Sequence, residues 1–273
     1  MITESDCCGN GCTNCILDTK PLQEEDDNRP NALSIYRKYN IVKILDLKPN
    51  ITKYTFQLTE NCDNLSLRIP PGHHIMMRST ELLIRPYSPF SVTTADFEFE
   101  ILVNDCPNGE MTKYIKGLNL GDSVEFRGPV GKYQHKVNRN VVIFTHGVAI
   151  ASVFRIVTSI LENQEDDSRI YFNACFQDLE HILFRNEIHS WNQFWNFDGL
   201  IYLSKGGQDF KDKLKYKEAV LNRRLLEEDI ERTILKVKAI GDFEVVLSGS
   251  KGFENFIVNS IGNSVDKDQI NVL

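Results

Sequence analysis

The stretch Val141-Val142-Ile143-Phe144-Thr145-His146-Gly147-Val148-Ala149-Ile150-Ala151-Ser152-Val153-Phe154 divides this 273-residue chain into two kinds of sequence. Its first four residues form an unbroken apolar run, the mark of a parallel strand buried on both faces. Gly147 breaks the run. From Ala149 onward, Ile150, Val153, Phe154, Val157, Ile160 and Leu161 fall at helical spacing. The stretch therefore reads as strand, tight turn, helix. Residues 141–161 are also the longest apolar segment, but His146 and Arg155 lie inside it. A charge at a bilayer centre costs roughly 2.5–3.5 kcal/mol, so a buried strand–turn–helix is expected here and no transmembrane segment.

Downstream, Ile170-Tyr171-Phe172, Leu200-Ile201-Tyr202-Leu203 and Phe243-Glu244-Val245-Val246-Leu247 read as further buried strands. Residues 211–236 read as charged and largely helical, and residues 253–261 as a last helix. Alternating strands and helices imply a parallel sheet with crossovers. Upstream, from about residue 34 to 135, the period is two. It appears in Tyr54-Thr55-Phe56-Gln57-Leu58, in Leu65, Leu67 and Ile69, in Phe97-Glu98-Phe99-Glu100-Ile101, and in Val124 and Phe126. Turn signals at Pro49-Asn50, Pro70-Pro71-Gly72, Pro107-Asn108-Gly109 and Gly128-Pro129 punctuate these runs, as in an antiparallel barrel or sandwich. A short helix is expected from Met111 to Gly117. The fold class is thus β followed by α/β, an antiparallel barrel at 34–137 and a parallel-sheet domain at 138–273. An acidic linker occupies 21–33 and a cysteine-rich module 1–20. A barrel paired with an α/β domain commonly takes a ligand in a crevice.

Composition agrees. The chain is 41% hydrophobic, 25% charged and 10% aromatic, which excludes collagen-like, coiled-coil and wholly disordered classes. Net charge is −7, so a nucleic-acid partner is not expected. Seven cysteines, an odd number, with a start lacking a basic or apolar signal region, argue for a reducing, intracellular setting and a soluble protein. Ile2 excludes N-myristoylation. Cys7, Cys8, Cys12 and Cys15 offer four thiolates, the ligand type of zinc or an iron–sulfur cluster. Their spacing lacks the two separated pairs of a structural zinc site, and a redox-sensitive tail is the competing reading.

Three segments carry chemistry. In an extended Arg85-Pro86-Tyr87-Ser88, Arg85 and Tyr87 share one face. A guanidinium can grip phosphate while the ring lies on a planar cofactor, and Ser88 can bond a ring heteroatom. A Pro-containing edge strand explains the same residues. Gly109-Glu110-Met111-Thr112 opens a short helix whose first N–H groups suit a pyrophosphate, or is simply a turn and a helix start. Arg127-Gly128-Pro129-Val130-Gly131 reads alone as a hairpin turn.

In order, and with Pro71-Gly72-His73-His74-Ile75 before them, these segments resemble the flavin domain of the NADH-cytochrome b5 reductase family, within the ferredoxin-reductase superfamily. The resemblance spans roughly residues 36–273 and continues through Cys175-Phe176-Gln177-Asp178 and Ile182-Leu183-Phe184-Arg185. Cys7 to Cys15 resemble the short oxidoreductase-like module, whose union with a reductase body resembles the reductase-like members of the family, a subgroup that Phe194-Trp195-Asn196 and Leu203-Ser204 fit too. The resemblance implies FAD, with Arg85 on its pyrophosphate, Pro86 between, Tyr87 on the isoalloxazine, Ser88 at its reactive edge, and the backbone of Gly109, Glu110, Met111 and Thr112 around phosphate. It implies NADH or NADPH on the second domain and single electrons passed to a cytochrome b5-type haem protein or another one-electron acceptor.

The nucleotide half departs from the family. Where relatives carry Gly-Gly-Thr-Gly-Ile-Thr-Pro, this chain has His146-Gly147-Val148-Ala149-Ile150-Ala151-Ser152. Their Cys-Gly-Pro-Pro is Ser248-Gly249-Ser250-Lys251, their ribose-binding acid is Lys205, their C-terminal aromatic is Leu273, and their basic residue before the phosphate loop is Glu100. Gly147, Ala151, Lys205, Ser248 and Gly249 are the expected nucleotide-side positions. Lys205 is compatible with a 2′-phosphate or with no dinucleotide at all. The alternative function is therefore a catalytically weak, flavin-binding relative serving as a partner- or metal-binding scaffold. His73, His74, Trp191 and Trp195 are expected to be structural, and Cys62, Cys106 and Cys175 to be core or surface thiols. Lys113, Lys116, Arg127, Lys132, Lys136 and Arg139, against Asp122 and Glu125, form a candidate basic docking face or a solvated one.

Overall fold

The computed structural model describes residues 29–48, 50–60, 62–207 and 211–273. The cysteine module and linker residues 21–28 lie outside them. The chain forms two compact units, 1–134 and 135–273.

Seven antiparallel strands build the first unit. They are β1 (Arg37–Lys48), β2 (Ile51–Gln57), β3 (His74–Arg78), β4 (Ile84–Tyr87), β5 (Ser91–Thr93), β6 (Glu98–Asn104) and β7 (Ser123–Val130). Their order is β4-β3-β7-β1-β2-β6-β5, a barrel-like sheet with β4 and β5 at its edges. Alternation sends Tyr39, Phe56, Phe99 and Phe126 inward, each essentially unexposed. Their rings meet at 4.7–5.8 Å, mostly tilted or edge-on as their quadrupoles favour. One short helix, α1 (Glu110–Lys116), lies between β6 and β7, with Met111 and Ile115 packed into the same core.

Two details differ from expectation. Leu67 and Ile69 are buried as their alternation requires, yet residues 65–69 make no strand, only an isolated bridge between Asn31 and Ser66. The preceding chain takes their backbone groups, through Ala32 N–H to Ser66 C=O and the Asn31 side chain to Arg68 C=O. Pro70 and Pro71 then supply no further donors. Residues 127–130 are not a hairpin turn; they complete β7, pressed against β3. A Cβ on Gly131 would lie 2.9 Å from the His73 ring, at φ +153°, so close approach explains that glycine.

The second unit holds six parallel strands, β8 (Asn140–His146), β9 (Ile170–Phe176), β10 (Phe197–Leu203), β11 (Val220–Leu221), β12 (Phe243–Ser248) and β13 (Ile270–Val272). Its helices are α2 (Ile150–Glu162), α3 (Arg185–Trp191), α4 (Glu227–Lys238) and α5 (Lys251–Ile261). Val142 and Phe144 of β8 pack with α4 and α5. Val141 and Ile143 point to the opposite face, so the unbroken apolar run is buried on both sides. Residues 211–236 are less helical than expected. They contain a 3-10 turn, strand β11 and only then α4. The buried Glu218 carboxylate explains the break, because it accepts two bonds from Arg185 and one from the Lys215 N–H, holding the chain in a loop. The strand order is β11-β10-β9-β8-β12-β13, so the winding reverses between β8 and β12. At such a switch point the crevice beyond the strands' carboxyl ends is the natural ligand site. No described helix is long and apolar enough to cross a membrane.

Candidate functional site

In the first unit the site gathers around β4 and α1. Arg85 is paired with Met77 and Tyr87 with Ile75, both unexposed. Arg85 and Tyr87 therefore share the inner face of an edge strand, as alternation requires, and Pro86 points outward with Ser88 just past the strand end. One Arg85 Nη donates to the Ile84 carbonyl at 2.7 Å, leaving the rest of its fork for a ligand. Tyr87 packs on the barrel core. Burial raises its hydroxyl far above the ordinary tyrosine range, with Arg85 pulling the other way and Cys106 reinforcing the rise. Tyr87 thus stays protonated. Cys106 also faces Gly109, where a Cβ would stand 3.3 Å from the Cys106 Cβ and 3.1 Å from Thr112 Oγ1. No side chain caps α1, so the first-turn N–H groups of Glu110, Met111 and Thr112 are not spent on a capping oxygen. An uncapped, glycine-led helix start beside an arginine fits a phosphate ester.

Glu100 is neutralised from the neighbouring strand. Lys53 of β2 pairs with the Glu100 carboxylate at 2.6 Å, and Thr55 donates to the same oxygen.

In the second unit the crevice lies at the ends of β8 and β12. Gly147 has φ +60° with open space around its Cα, and α2, with Ala149 as its N-cap, has no side-chain cap. Ala151 is buried in the first turn. Ser248 is buried too, and its hydroxyl lies 2.7 Å from that of Ser152, which donates to the Ala149 carbonyl. The bond fastens the start of α2 to the end of β12 across the switch point. Beside it, Thr145 Oγ1 is buried without a hydrogen-bond partner among the described residues. Gly249 is needed because a Cβ there would meet Phe253 at 2.6 Å. The His146 ring stacks on Phe253, centroids 5.4 Å apart, and burial lowers its pKa, keeping the imidazole neutral.

His146 and Phe253 also border a cavity of about 740 Å³, continued by Cys175, Tyr202, Ser204 and Arg224. Burial, with help from Asp229, pushes the Cys175 thiol up to about 12, so it is no nucleophile. Tyr202 is 2% exposed and its hydroxyl has no hydrogen-bond partner among the described residues. A glycine turn, an uncapped helix start and unpartnered hydroxyls fit a dinucleotide. Lys205 is exposed just after β10.

The structure separates the remaining candidates. Trp191 is a core residue among Phe154, Phe172 and Phe197. Trp195 is 65% exposed, with the Arg169 guanidinium over its ring, so packing does not account for it. His73 is buried. Burial and His73 lower the His74 pKa to about 4. The expected basic face is thinner than its composition. Arg127 is buried near Tyr36, Lys116 pairs with Asp105, and Arg139 pairs with Asp242 and Glu244. Lys113, Lys132 and Lys136 remain exposed. No metal-holding cluster of His, Cys, Asp or Glu occurs among the described residues, and Cys7, Cys8, Cys12 and Cys15 lie outside them.

Sequence reasoning missed Lys53, Ser152, Tyr202, Arg224 and Phe253. Only Ser152 carried a local signal, since it adjoins the altered turn. The others reach the site through strand order.

Residues 38–135 match the model of the oxidoreductase FAD-binding domain. The chain is 26% identical over 236 residues to the human "NADH-cytochrome b5 reductase-like" protein, covering 78% of this chain and 75% of that one. It is 28% identical over 158 residues to NADH-cytochrome b5 reductase 1 of Candida albicans, 56% of this chain and 53% of that one. Its fold matches the cytochrome b5 reductase domain of Ulva prolifera nitrate reductase with a TM-score of 0.69 at 17% identity, covering 90% of this chain and all of that one.

Proposed function

We propose that the chain is an FAD-binding oxidoreductase of the NADH-cytochrome b5 reductase family, which oxidises a reduced nicotinamide dinucleotide and delivers electrons singly to a haem protein of the cytochrome b5 type or another one-electron acceptor; the match to the FAD-binding domain and the likeness to these reductases support this reading. FAD, when bound, supplies the exchange between a two-electron donor and a one-electron acceptor. In this reading Arg85 and the first turn of α1 hold its phosphates, Tyr87 offers a neutral phenol ring, and Ser88 faces the ring edge. On the nucleotide side, Gly147 and the uncapped start of α2 receive the dinucleotide pyrophosphate. The Ser152–Ser248 bond keeps the turn and the end of β12 at a fixed spacing, so the crevice is set before the ligand arrives. His146, neutral, adds a flat surface without a competing charge. The observation that carries the proposal is the glycine-led, uncapped start of α1 in one neighbourhood with Arg85 and Tyr87.

One observation favours the second reading, a flavin-binding scaffold with weak turnover. The positions where relatives expose a cysteine and a glycine carry a hydroxyl already bonded and an imidazole already stacked. The visible spectrum of the purified chain, followed by anaerobic NADH and NADPH, separates the two. Flavin absorption bleached within seconds is expected. A chain without flavin absorption would sink both readings, and bound flavin that neither nucleotide bleaches would leave the scaffold.

A further inference from the structure

We propose that residues 211–217 form a docking surface for an anionic lipid bilayer, in which lysines meet the head groups and Tyr216 enters the boundary between head groups and acyl chains. The inference stands apart from the flavin and nucleotide sites and concerns where the protein works.

The segment Lys211-Asp212-Lys213-Leu214-Lys215-Tyr216-Lys217 leads toward β11, the strand at one edge of the parallel sheet. It carries four lysines against one aspartate, in a chain whose net charge is −7. Its backbone is held from within the unit. Arg185 of α3 donates to the Lys213 carbonyl at 2.8 Å and to both oxygens of Glu218, which also accepts from the Lys215 N–H. Leu214 is half-buried, and the Lys215 ammonium donates to Asn186. Lys211, Lys213 and Lys217 are exposed, and no lysine of the segment enters an ion pair among the described residues.

Two features separate this loop from an ordinary solvated run of charge. Tyr216 is 81% exposed, more than any other large apolar or aromatic side chain among the described residues, so packing does not account for it. A ring with an apolar body and a polar tip suits the boundary of a membrane. Lys217 takes φ +59°, a left-handed conformation that glycine adopts without strain and lysine does not. The backbone therefore gives no reason for a lysine there. Its ammonium lies 5.3 Å from the centroid of the Tyr216 ring, so cation and aromatic project together. The kind of cation points to the partner. Protein interfaces are enriched in arginine and depleted in lysine. Long lysine stems, by contrast, reach anionic head groups while the ammonium stays hydrated. Every cation of this segment is a lysine.

The test is co-sedimentation of the full chain with vesicles of phosphatidylcholine alone, and with phosphatidylcholine and phosphatidylserine mixed three to one. The excess of three positive charges predicts about 100-fold tighter binding to the mixed vesicles, weakening as salt rises. Lys211→Glu combined with Lys213→Glu removes the preference. The same reversals at Lys238 and Lys267, exposed elsewhere on the unit, leave most of it. Tyr216→Ala weakens binding several-fold without changing its salt dependence, because it removes apolar contact and no charge. Circular dichroism and thermal unfolding confirm that each variant is folded. Equal binding to both vesicle types, a preference that survives the loop reversals, or one lost equally to the reversals at Lys238 and Lys267 overturns the proposal. So does Tyr216→Ala binding as wild type. A chain that ignores vesicles, yet loses turnover with a cytochrome b5-type acceptor on reversal of the loop, also overturns it and assigns the patch to an acidic protein. Bleaching of bound flavin by NADH or NADPH is expected to be the same in all these variants.

Discussion

Replacing His135 with glutamine tests how the second unit is held together at the edge opposite its crevice. His135 is the unit's first residue, and its side chain is 14% exposed. Its Nε2 lies 2.8 Å from Asp166 Oδ2 and its Nδ1 3.4 Å from Glu244 Oε1, and both carboxylates are buried. Arg139 and Asn271 also face Glu244, Asp242 pairs with Arg139, and Ser168 faces both His135 and Asp166. Burial pulls the His135 pKa down. The hydrogen bonds and charges of Glu244 and Asp166 outweigh it, and the pKa ends above its ordinary value. The group is therefore charged in the fold at a pH where the unfolded chain has lost the proton.

Removing one partner of a buried pair costs about 3–5 kcal/mol when nothing replaces it. Here Asp166 keeps the Ser168 hydroxyl and the N–H groups of Asn138 and Ser168, and Glu244 keeps Arg139. We therefore expect a loss of about 2 kcal/mol, or about 4–8 °C in Tm for a unit of this size. The pH dependence has a definite sign. A raised folded pKa gives stability fully present below the unfolded value near about 6.5, lost as pH rises through the folded pKa. The difference between wild type and His135→Gln should be largest at pH 6 and should shrink at pH 9. Denaturant unfolding of the full chain at both values measures it. A loss that is the same at both pH values, or that grows toward pH 9, would refute the clamp.

Two further outcomes follow from the site. Arg85→Ala should weaken FAD retention by about 10–100-fold, because one charge-assisted contact is lost, and excess FAD in a reconstitution titration should restore the spectrum. Ser248→Ala should lower stability by about 1 kcal/mol, because Ser152 keeps its bond to Ala149 while its contact with β12 disappears, and thermal unfolding reads that loss.

Much of the first site was legible in sequence because it is local. Arg85 and Tyr87 sit two apart on one strand, so alternation alone puts them on one face, and Gly109 announces the start of α1 within three residues. The nucleotide side was legible only as a set of departures. His146, Ser248 and Lys205 could be named as altered, but His146 acts through Phe253 and Ser248 through Ser152, each about a hundred residues away from its partner in the chain. The reading of 211–236 as a long helix failed for a related reason. Its charged composition has good helix propensity, and the long-range pairing of Glu218 with Arg185 overrides it.

By itself the sequence determined the change of period at residues 141–147, hence two units of different class, and the order of the flavin-side motifs along the chain. Those features rest on backbone geometry, where side chains repeat every two residues in a strand and every 3.6 in a helix. Tertiary structure alone decided that β8 and β12 are neighbours, so that Ser152 meets Ser248. It also decided that β10 and β11 end together, so that Ser204, Arg224 and Tyr202 come to one cavity. Strand order is set by how whole faces are buried, a property of the assembled sheet that no local window of residues contains.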